Sequence, residues 1–557
     1  MTDLLSGPAR PIIVLLLSAL AIGLLDRLTR PRDSGVLLVL LVADGALALL
    51  SLRTRLPLHV VLGRWRDLSL LGCDWGLGVD GLAFLFAAAT LFVALTLSVA
   101  AVGRKPMPRA PLLVLLAAGL GLIFATDLIT LSASGFLLDL ASAWAVVSVD
   151  DTERGRKPAS WAVGLGGLAN LALVTAALAL RLEGRFPSLD LALSSPRALA
   201  LVTVAILVRL GVYPLYFWLP RQVEGSPAAR AWLHLVPVAT GLWLPARVYA
   251  LVNGPWPWPA FCLTLGGVGF LAAAILAWGE TRSERITSWV ILAQLGYSLV
   301  LITLGTPPTP IAINLLLGAG LLFVAPSFAA SWRRVSTGWG RWQWAVEIPT
   351  AVGVAMLAGV PGTLGFAGRT ALYRALLIQG PTSLLAISLL AESLVVAALL
   401  HAWFTADIDA QEEAESTDHA LDRWSVLGAV VLLAGAGLLV GLHPPLLARL
   451  FSGVVTLPSL FTLLRGITLA QASALALPLV GGIALYRYRA EVWNQVASYW
   501  NITATVLRLE WLARAVSTPW SAGRELMHAA GEIGAGQGYL GWVTLIGLLV
   551  LLFVLTR

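Results

Sequence analysis

Lysine is nearly missing from this chain, and so is cysteine. Lys105 and Lys157 are its only lysines, and both fall between apolar runs, so no run carries a titratable amine. Cys73 and Cys262 stand alone, which excludes a disulfide framework and a thiolate metal cluster. No paired haem-type histidines and no nucleotide-binding fingerprint occur, so the chain is expected to bind no cofactor and no metal and to hold no catalytic centre of its own. Charge is scarce as well. Only 12% of the residues are charged and 58% are hydrophobic, with a mean hydropathy of +0.85. That balance excludes a soluble globular protein.

What is present is a succession of apolar runs: 11–25, 35–52, 79–102, 111–126, 128–149, 160–180, 198–216, 231–252, 260–279, 286–305, 311–331, 344–361, 382–403, 426–442, 466–486 and 539–556. They are continuous rather than alternating, which argues against a barrel. The prediction is an all-α polytopic membrane protein of about 14–16 transmembrane helices. The first run ends at Asp26 with no small-residue cleavage pattern behind it and is expected to be a retained span.

The excess of arginine reads as loop charge facing lipid headgroups, not as a nucleic-acid surface. Arg27/Arg30/Arg32, Arg104/Lys105/Arg109, Arg154/Arg156/Lys157, Arg282/Arg285 and Arg333/Arg334/Arg341 follow odd-numbered runs. Arg53/Arg55/Arg64/Arg66 and Arg181/Arg185 run against the trend. The positive-inside rule then places the odd-to-even loops in the cytoplasm. The most polar stretch, Ala406–Arg423, reads as an acidic loop: a solvated surface or a docking site for another subunit.

Two runs are interrupted by Gly/Pro clusters about 150 residues apart: Gly211–Pro220, with Pro214 and Pro220, and Gly359–Phe366, with Gly359, Pro361 and Gly365. Each has an arginine beside it, Arg209 and Arg369. Paired broken helices in corresponding positions point to inverted repeats around an ion path. Past Ala484 the chain mixes Arg, Glu, Trp and aliphatics. Glu491–Trp500 and Val506–Ala515 suit a helix lying along the membrane surface.

Four segments carry a resemblance. Gly78-Val-Asp80-Gly81-Leu-Ala-Phe, Arg209-x4-Pro214-x-Tyr216-x-Trp218-Leu-Pro220, Arg282-x-Glu284-Arg285-x3-Trp289-x4-Gln294-Leu-Gly296-Tyr297 and Gly359-Val-Pro361-x3-Gly365-Phe366-x2-Arg369 occur in that order. Together they resemble the antiporter-like membrane subunits of respiratory complex I and Mrp-type cation/proton antiporters. The resemblance implies fourteen or more helices, with two inverted five-helix repeats and broken helices, to which the residue pattern adds a C-terminal surface helix and a final span. The expected layout is N-terminal helices over 1–110, a first repeat over 111–252 and a second over 258–403. An acidic loop over 404–425, helices over 426–486, a lateral amphipathic segment over 487–538 and a terminal span over 539–557 follow.

Members of that family pass protons along a central row of an acid, lysines and histidines. By position, Asp139 stands for the acid, Arg209 for a lysine, His234 for a histidine and Arg369 for another lysine. Ala319 and Leu315 occupy the places of a lysine and a histidine. Glu392 and His401 lie on one later span where an exit path would run, and for both the functional and the structural reading stay open. Asn170, Gln294 and Asn314 read as hydrogen-bonding links between helices. Glu347 reads as interfacial, and Asp80 as a helix-start landmark. Arginine keeps its proton where a buried lysine releases it. A GC-rich genome would exchange lysine for arginine throughout, but it leaves Ala319 and Leu315 unexplained.

The expectation is a membrane subunit of a multi-subunit proton-translocating complex with a degenerate relay and reduced or lost pumping. It would sit in a bacterial cytoplasmic membrane or an equivalent energy-transducing membrane. Its partners would be other membrane subunits and the bilayer, with no nucleic acid, and any NADH/quinone chemistry would belong to those subunits. The alternatives are the antiporter-like subunit of a proton-driven inorganic-carbon uptake complex and a non-pumping structural scaffold.

Overall fold

A computed structural model describes residues 7–28, 34–65, 73–103, 107–220, 223–252, 256–336, 344–414, 420–450, 458–512 and 515. The terminal span 539–557 and most of the lateral segment beyond residue 512 lie outside the described residues. The chain divides into two units, Met1–Val492 and Trp493–Arg557.

The first unit is a helical bundle. Its opening helices are α1 (Ala9–Leu28) and α2 (Ser34–Leu50). A hairpin follows, made of β1 (Leu58–Trp65) and β2 (Cys73–Val79). Next come α3 (Gly81–Ala100), α4 (Arg109–Ile123), α5 (Leu128–Val149), α6 (Glu153–Leu182), α7 (Pro196–Leu210) and α8 (Pro227–Leu251). The later helices are α9 (Pro259–Trp278), α10 (Ser283–Thr303), α11 (Thr309–Ser336), α12 (Ile348–Leu357), α13 (Leu364–Gln379), α14 (Thr382–Ala414), α15 (Ala420–Leu442) and α16 (Leu469–Arg487). α17 (Arg489–Arg508) crosses into the second unit, where the Trp493 and Trp500 rings lie 5.4 Å apart.

Among the described residues eleven helices are long and apolar enough to cross a membrane, and the protein is a multi-pass membrane protein. α10 and α11 form the centre, with 94% and 89% of their apolar windows buried, against 33% for α1, α2 and α15. Helix starts follow capping chemistry. Asp80 caps α3 by accepting from Ala83 N, Asp127 caps α5 through Ile129 N and Thr130 N, and Ser195 and Ser226 cap α7 and α8 ahead of a first-turn proline.

Both breaks are real interruptions. α7 stops at Leu210, with Gly211 in the left-handed region at φ 66°, and regular helix resumes only at Pro227. α12 stops at Leu357, Gly359 and Gly362 have φ of 59° and 94°, and α13 starts at Leu364. Asn314 of α11 spans the second gap. Its Nδ2 donates to Met356 O at 2.9 Å and its Oδ1 accepts from Gly365 N at 2.9 Å. One side-chain amide thus ties the two sides of the break together, giving Gly365 N the acceptor it would lack and Met356 O a second donor beside Gly359 N.

Two elements differ from the sequence reading. The segment after α2 is a two-stranded antiparallel hairpin, with Leu58 opposite Val79 and an irregularity between Val61 and Gly63. Its short strands carry arginine and glycine, which hid them in a reading tuned to long apolar runs. β2 is also tied to the α4–α5 turn, where Gly78 N donates to Phe124 O at 2.7 Å. The acidic stretch read as a loop is helical as far as Ala414, as a continuation of α14. Its glutamates and alanines propagate a helix once an apolar span has nucleated it.

Candidate functional site

The first break places a charge network in the bundle interior. Asp139 lies on α5, Asn170 on α6 and Arg209 on the last turn of α7, and all three are buried. Arg209 Nη1 donates to Asp139 Oδ1 at 2.8 Å and Nη2 to Oδ2 at 3.0 Å. Nη2 also donates to Asn170 Oδ1 at 2.7 Å, and Asn170 Nδ2 donates to Asp139 Oδ2 at 3.0 Å. The result is a bidentate ion pair closed by an amide, in the geometry that makes arginine–carboxylate contacts strong and directional. Two glycines make room for it. A Cβ at Gly135 would lie 2.3 Å from Arg209 Nη2, and one at Gly166 would lie 2.1 Å from the Asp139 carboxyl carbon. A cavity of ≈ 30 Å³ borders the pair, between Ser142, Trp218 and Thr240, large enough for about two waters.

A second pair stands beside the second break. Arg369 on α13 donates from Nε to Glu392 Oε1 on α14 at 3.0 Å, and from Nη2 to Leu357 O at 2.8 Å. Tyr373 OH donates to Glu392 Oε2 at 2.7 Å. Both charges are buried. A Cβ at Gly359 would lie 2.0 Å from Arg369 Nη1, so a residue without a side chain is needed at the turn.

His234, on α8, belongs to neither pair. Its Nδ1 lies 2.8 Å from Arg230 O and its Nε2 lies 3.1 Å from Ser288 Oγ on α10, while Phe323 of α11 stacks obliquely at 5.3 Å. A carbonyl oxygen only accepts, so Nδ1 carries a proton in this geometry. His234 and Ser288 border a polar cavity of ≈ 50 Å³, with Arg154, Glu224, Arg230, Arg282, Glu284 and Arg285 around it. Arg154 is ion-paired with Glu224 and Arg230 with Glu284. Glu224 N is itself held by Asp150 Oδ2 at 3.0 Å, in the α5–α6 turn. Burial acts to raise the Asp150 carboxyl, but hydrogen bonds from Thr152 and Glu224 and the charge of Arg154 outweigh it and hold the group below its ordinary value.

The opposite end of α8 has a cavity of ≈ 40 Å³ where Arg247 pairs with Asp80, beside His59 and Trp243. His401 lies nine residues beyond Glu392 on α14 and is half-buried, outside the Arg369–Glu392 cluster. Glu347 is ion-paired with Arg333 and accepts from Trp403 Nε1 at 3.3 Å.

α11 touches both His234 and the second break. Phe323 meets His234, and Gly318 packs against Leu357, whose carbonyl receives Arg369. Leu315 and Ala319 are fully buried, and Gly320 faces Leu235, Leu433 and Val93. From Thr309 to Phe323 this helix carries no titratable side chain. Sequence reasoning paired no partner with Arg369 and missed Tyr373 and Ser288. Tyr373 lies one turn after Arg369, and Ser288 one turn after Glu284. Both are spacings that place side chains on one helix face. Among the described residues no group of three or more His, Cys, Asp or Glu side chains is placed to hold a metal ion.

No family model matches the chain. It is 24% identical over 276 residues to NADH-ubiquinone oxidoreductase chain 2 of Formosania lacustris, an alignment covering 46% of this chain and 75% of that one. It is 25% identical over 237 residues to NADH-quinone oxidoreductase subunit N of Mycobacterium sp. (strain JLS), covering 40% and 50% of the two chains. With subunit N 2 of Solibacter usitatus it shares 25% over 309 residues, covering 52% and 59%. The last two matches span about half the length of those relatives. Among solved structures, a chain of the Mrp complex from Dietzia sp. DQ12-45-1b superposes with a TM-score of 0.76 at 19% identity, over 99% of this chain and 63% of that one. A chain of the membrane-bound sulfane sulfur reductase, an archaeal respiratory membrane complex, superposes at 0.66 with 18% identity, over 97% and 99%. These two likenesses concern the fold.

Proposed function

We propose that this chain, a divergent relative of the antiporter-like subunits of complex I and Mrp complexes, is a membrane subunit of a multi-subunit ion-translocating complex in which through-conduction of protons is reduced or lost. The observation that carries this reading is the Asp139–Arg209–Asn170 closure. An interior acid is paired with a guanidinium, a group that keeps its proton where a lysine amine can release it. Release of Asp139 would require breaking a bidentate pair whose members are both buried, which is costly. Arg369 and Glu392 repeat the arrangement. The apolar stretch of α11 supports the same conclusion, since Leu315 and Ala319 offer a proton no stopping place. The relatives' names support membership in a respiratory or antiporter-type assembly. On this reading the two broken helices mark two inverted repeats, and any redox chemistry lies in other subunits.

Purification of the tagged full chain from native membranes is expected to bring further multi-pass subunits with it. A chain that runs alone in mild detergent would overturn the complex. Sealed proteoliposomes of the purified assembly, driven by a pH gradient with the voltage clamped, test conduction. The expected result is proton flux through this chain no higher than background, unchanged in Asp139→Asn. Flux that Asp139→Asn abolishes contradicts the proposal.

A further inference from the structure

Arg489 is a half-buried cation with no acid against it. It stands just past the span α16, as the first residue of α17. Its Nη2 donates to Glu280 O, in the turn between α9 and α10, at 3.1 Å. Its guanidinium lies over the Trp278 ring, 5.8 Å from the ring centre. The Glu280 carboxylate pairs with Arg285 instead, at 3.7 Å. Arg489 Nη1 is enclosed without a hydrogen-bond partner, and among the described residues no carboxylate lies within ion-pair distance of the side chain. Burial draws the guanidinium down to about 10, with Tyr486 acting the other way, so it is charged at neutral pH. One carbonyl and one ring face leave that charge uncompensated in a place that water only partly reaches.

The surface leading to this cation is apolar. α16 packs on α14 through Gly482, whose Cβ would fall 2.5 Å from Val396 Cβ. Its outward side carries Leu477, Val480 and Ile483, each more than half exposed. Arg487, also exposed, stands one turn beyond Ile483 on that side. Beside it Tyr486 stacks on Phe404 of α14 at 5.4 Å, and Phe404 and Tyr488 are 58% and 60% exposed. Exposed aromatic rings at the end of a span mark the depth of the lipid headgroups. The turn that Arg489 grips belongs to a basic loop, with Arg282 and Arg285, that the positive-inside rule places in the cytoplasm. The leaflet on that side is the one that carries anionic lipid.

We propose that the α16–α17 junction binds an anionic phospholipid, its phosphate paired with Arg489 and Arg487 and an acyl chain laid along Leu477, Val480 and Ile483. A lipid carries both complements, a phosphate and a hydrocarbon tail, in the order in which the end of this span presents them. A soluble anion would leave the apolar stripe unused. A zwitterionic lipid brings its own cation to the phosphate and so offsets the two arginines less. The site concerns lipid alone and stands whether or not the chain conducts protons.

The test is native mass spectrometry of the purified full chain, stripped of lipid in mild detergent and offered phosphatidylglycerol or phosphatidylcholine with the same acyl chains. Wild type is expected to hold phosphatidylglycerol about tenfold more tightly than phosphatidylcholine, and Arg487→Gln and Arg489→Gln should each weaken phosphatidylglycerol about fivefold. Arg489→Lys keeps the charge and most of the affinity. Arg197→Gln, at an exposed arginine in the first turn of α7, controls for net charge and changes neither lipid. Because Arg487 is exposed, its variant reads the site without disturbing the packing. Equal retention of the two lipids by wild type overturns the proposal, as does a preference that survives both glutamine substitutions. A map of the assembly from native membranes should show a phosphate against Arg489; a carboxylate of another subunit in its place overturns the proposal too.

Discussion

Removing one partner of the Asp139–Arg209 pair should cost far more than removing both. In Arg209→Met the Asp139 carboxylate keeps a single donor, Asn170 Nδ2, in a site with less than a tenth of its surface exposed. In Asp139→Leu the guanidinium keeps only Asn170 Oδ1. Breaking a buried pair from one side costs about 3–5 kcal/mol, while exchanging the whole pair for well-packed apolar groups is often neutral or stabilising. In the double variant Asn170 remains, with its amide stripped of both charged partners, and that returns about 1–3 kcal/mol of cost. The singles therefore sum to about 6–10 kcal/mol while the double lies near 1–3, a coupling of at least about 3 kcal/mol. Adding Asn170→Leu to the double variant should recover stability by removing the last unsatisfied polar group. The assay is equilibrium unfolding in mixed micelles of rising SDS fraction, run on wild type, both singles, the double and the triple. Single variants that each cost less than about 1 kcal/mol and add would refute the reasoning. Such a result would mean that Asp139 is already neutral or that water screens the pair, and the argument for a closed relay would fall with it.

Gly166→Ala should destabilise by about 1–3 kcal/mol in the same assay, because its Cβ falls on the Asp139 carboxylate, whereas Gly167→Ala, with open space around its Cβ, should be near neutral. Asn314→Ala leaves Gly365 N without a partner at the second break and takes one of two donors from Met356 O, and should cost about 1–3 kcal/mol; Asn314→Leu should not restore it, since the loss is of hydrogen bonds and not of volume. The folded-state depression of Asp150 predicts a stability contribution that is complete above its unfolded value of about 3.9 and disappears as the pH falls through the lower folded value. Asp150→Asn should flatten the acid limb of a stability-versus-pH profile below about pH 4, and an unchanged limb would show that another carboxylate governs it.

Much of the site was legible before any coordinates. A charge inside an apolar run has few reasons to be there, so Arg209 and Glu392 stood out by rarity, while Arg369 stood out by its place beside a break and Asp139 by the family resemblance. Gly211 and Gly359 were visible as interruptions for the same reason. The hairpin was not legible, because Leu58–Trp65 and Cys73–Val79 are short, and their pairing is a contact between segments with no periodicity of their own to announce it. Tyr373 and Ser288 were overlooked because hydroxyl residues are common in membrane helices, where most bond to their own helix carbonyls, as Thr90 and Ser98 do.

Sequence alone determined that the chain crosses a membrane many times, that its apolar runs carry arginine and no lysine, and that two of its helices are broken. These are properties of residue type and order, and hydration energy decides them before packing begins. Which acid meets which arginine was decided only by tertiary structure, because Asp139 and Arg209 are 70 positions apart and the register of three helices brings them to 2.8 Å. The same holds for His234, whose place against the Ser288 hydroxyl and the Phe323 ring is set by the packing of α8 on α10 and α11.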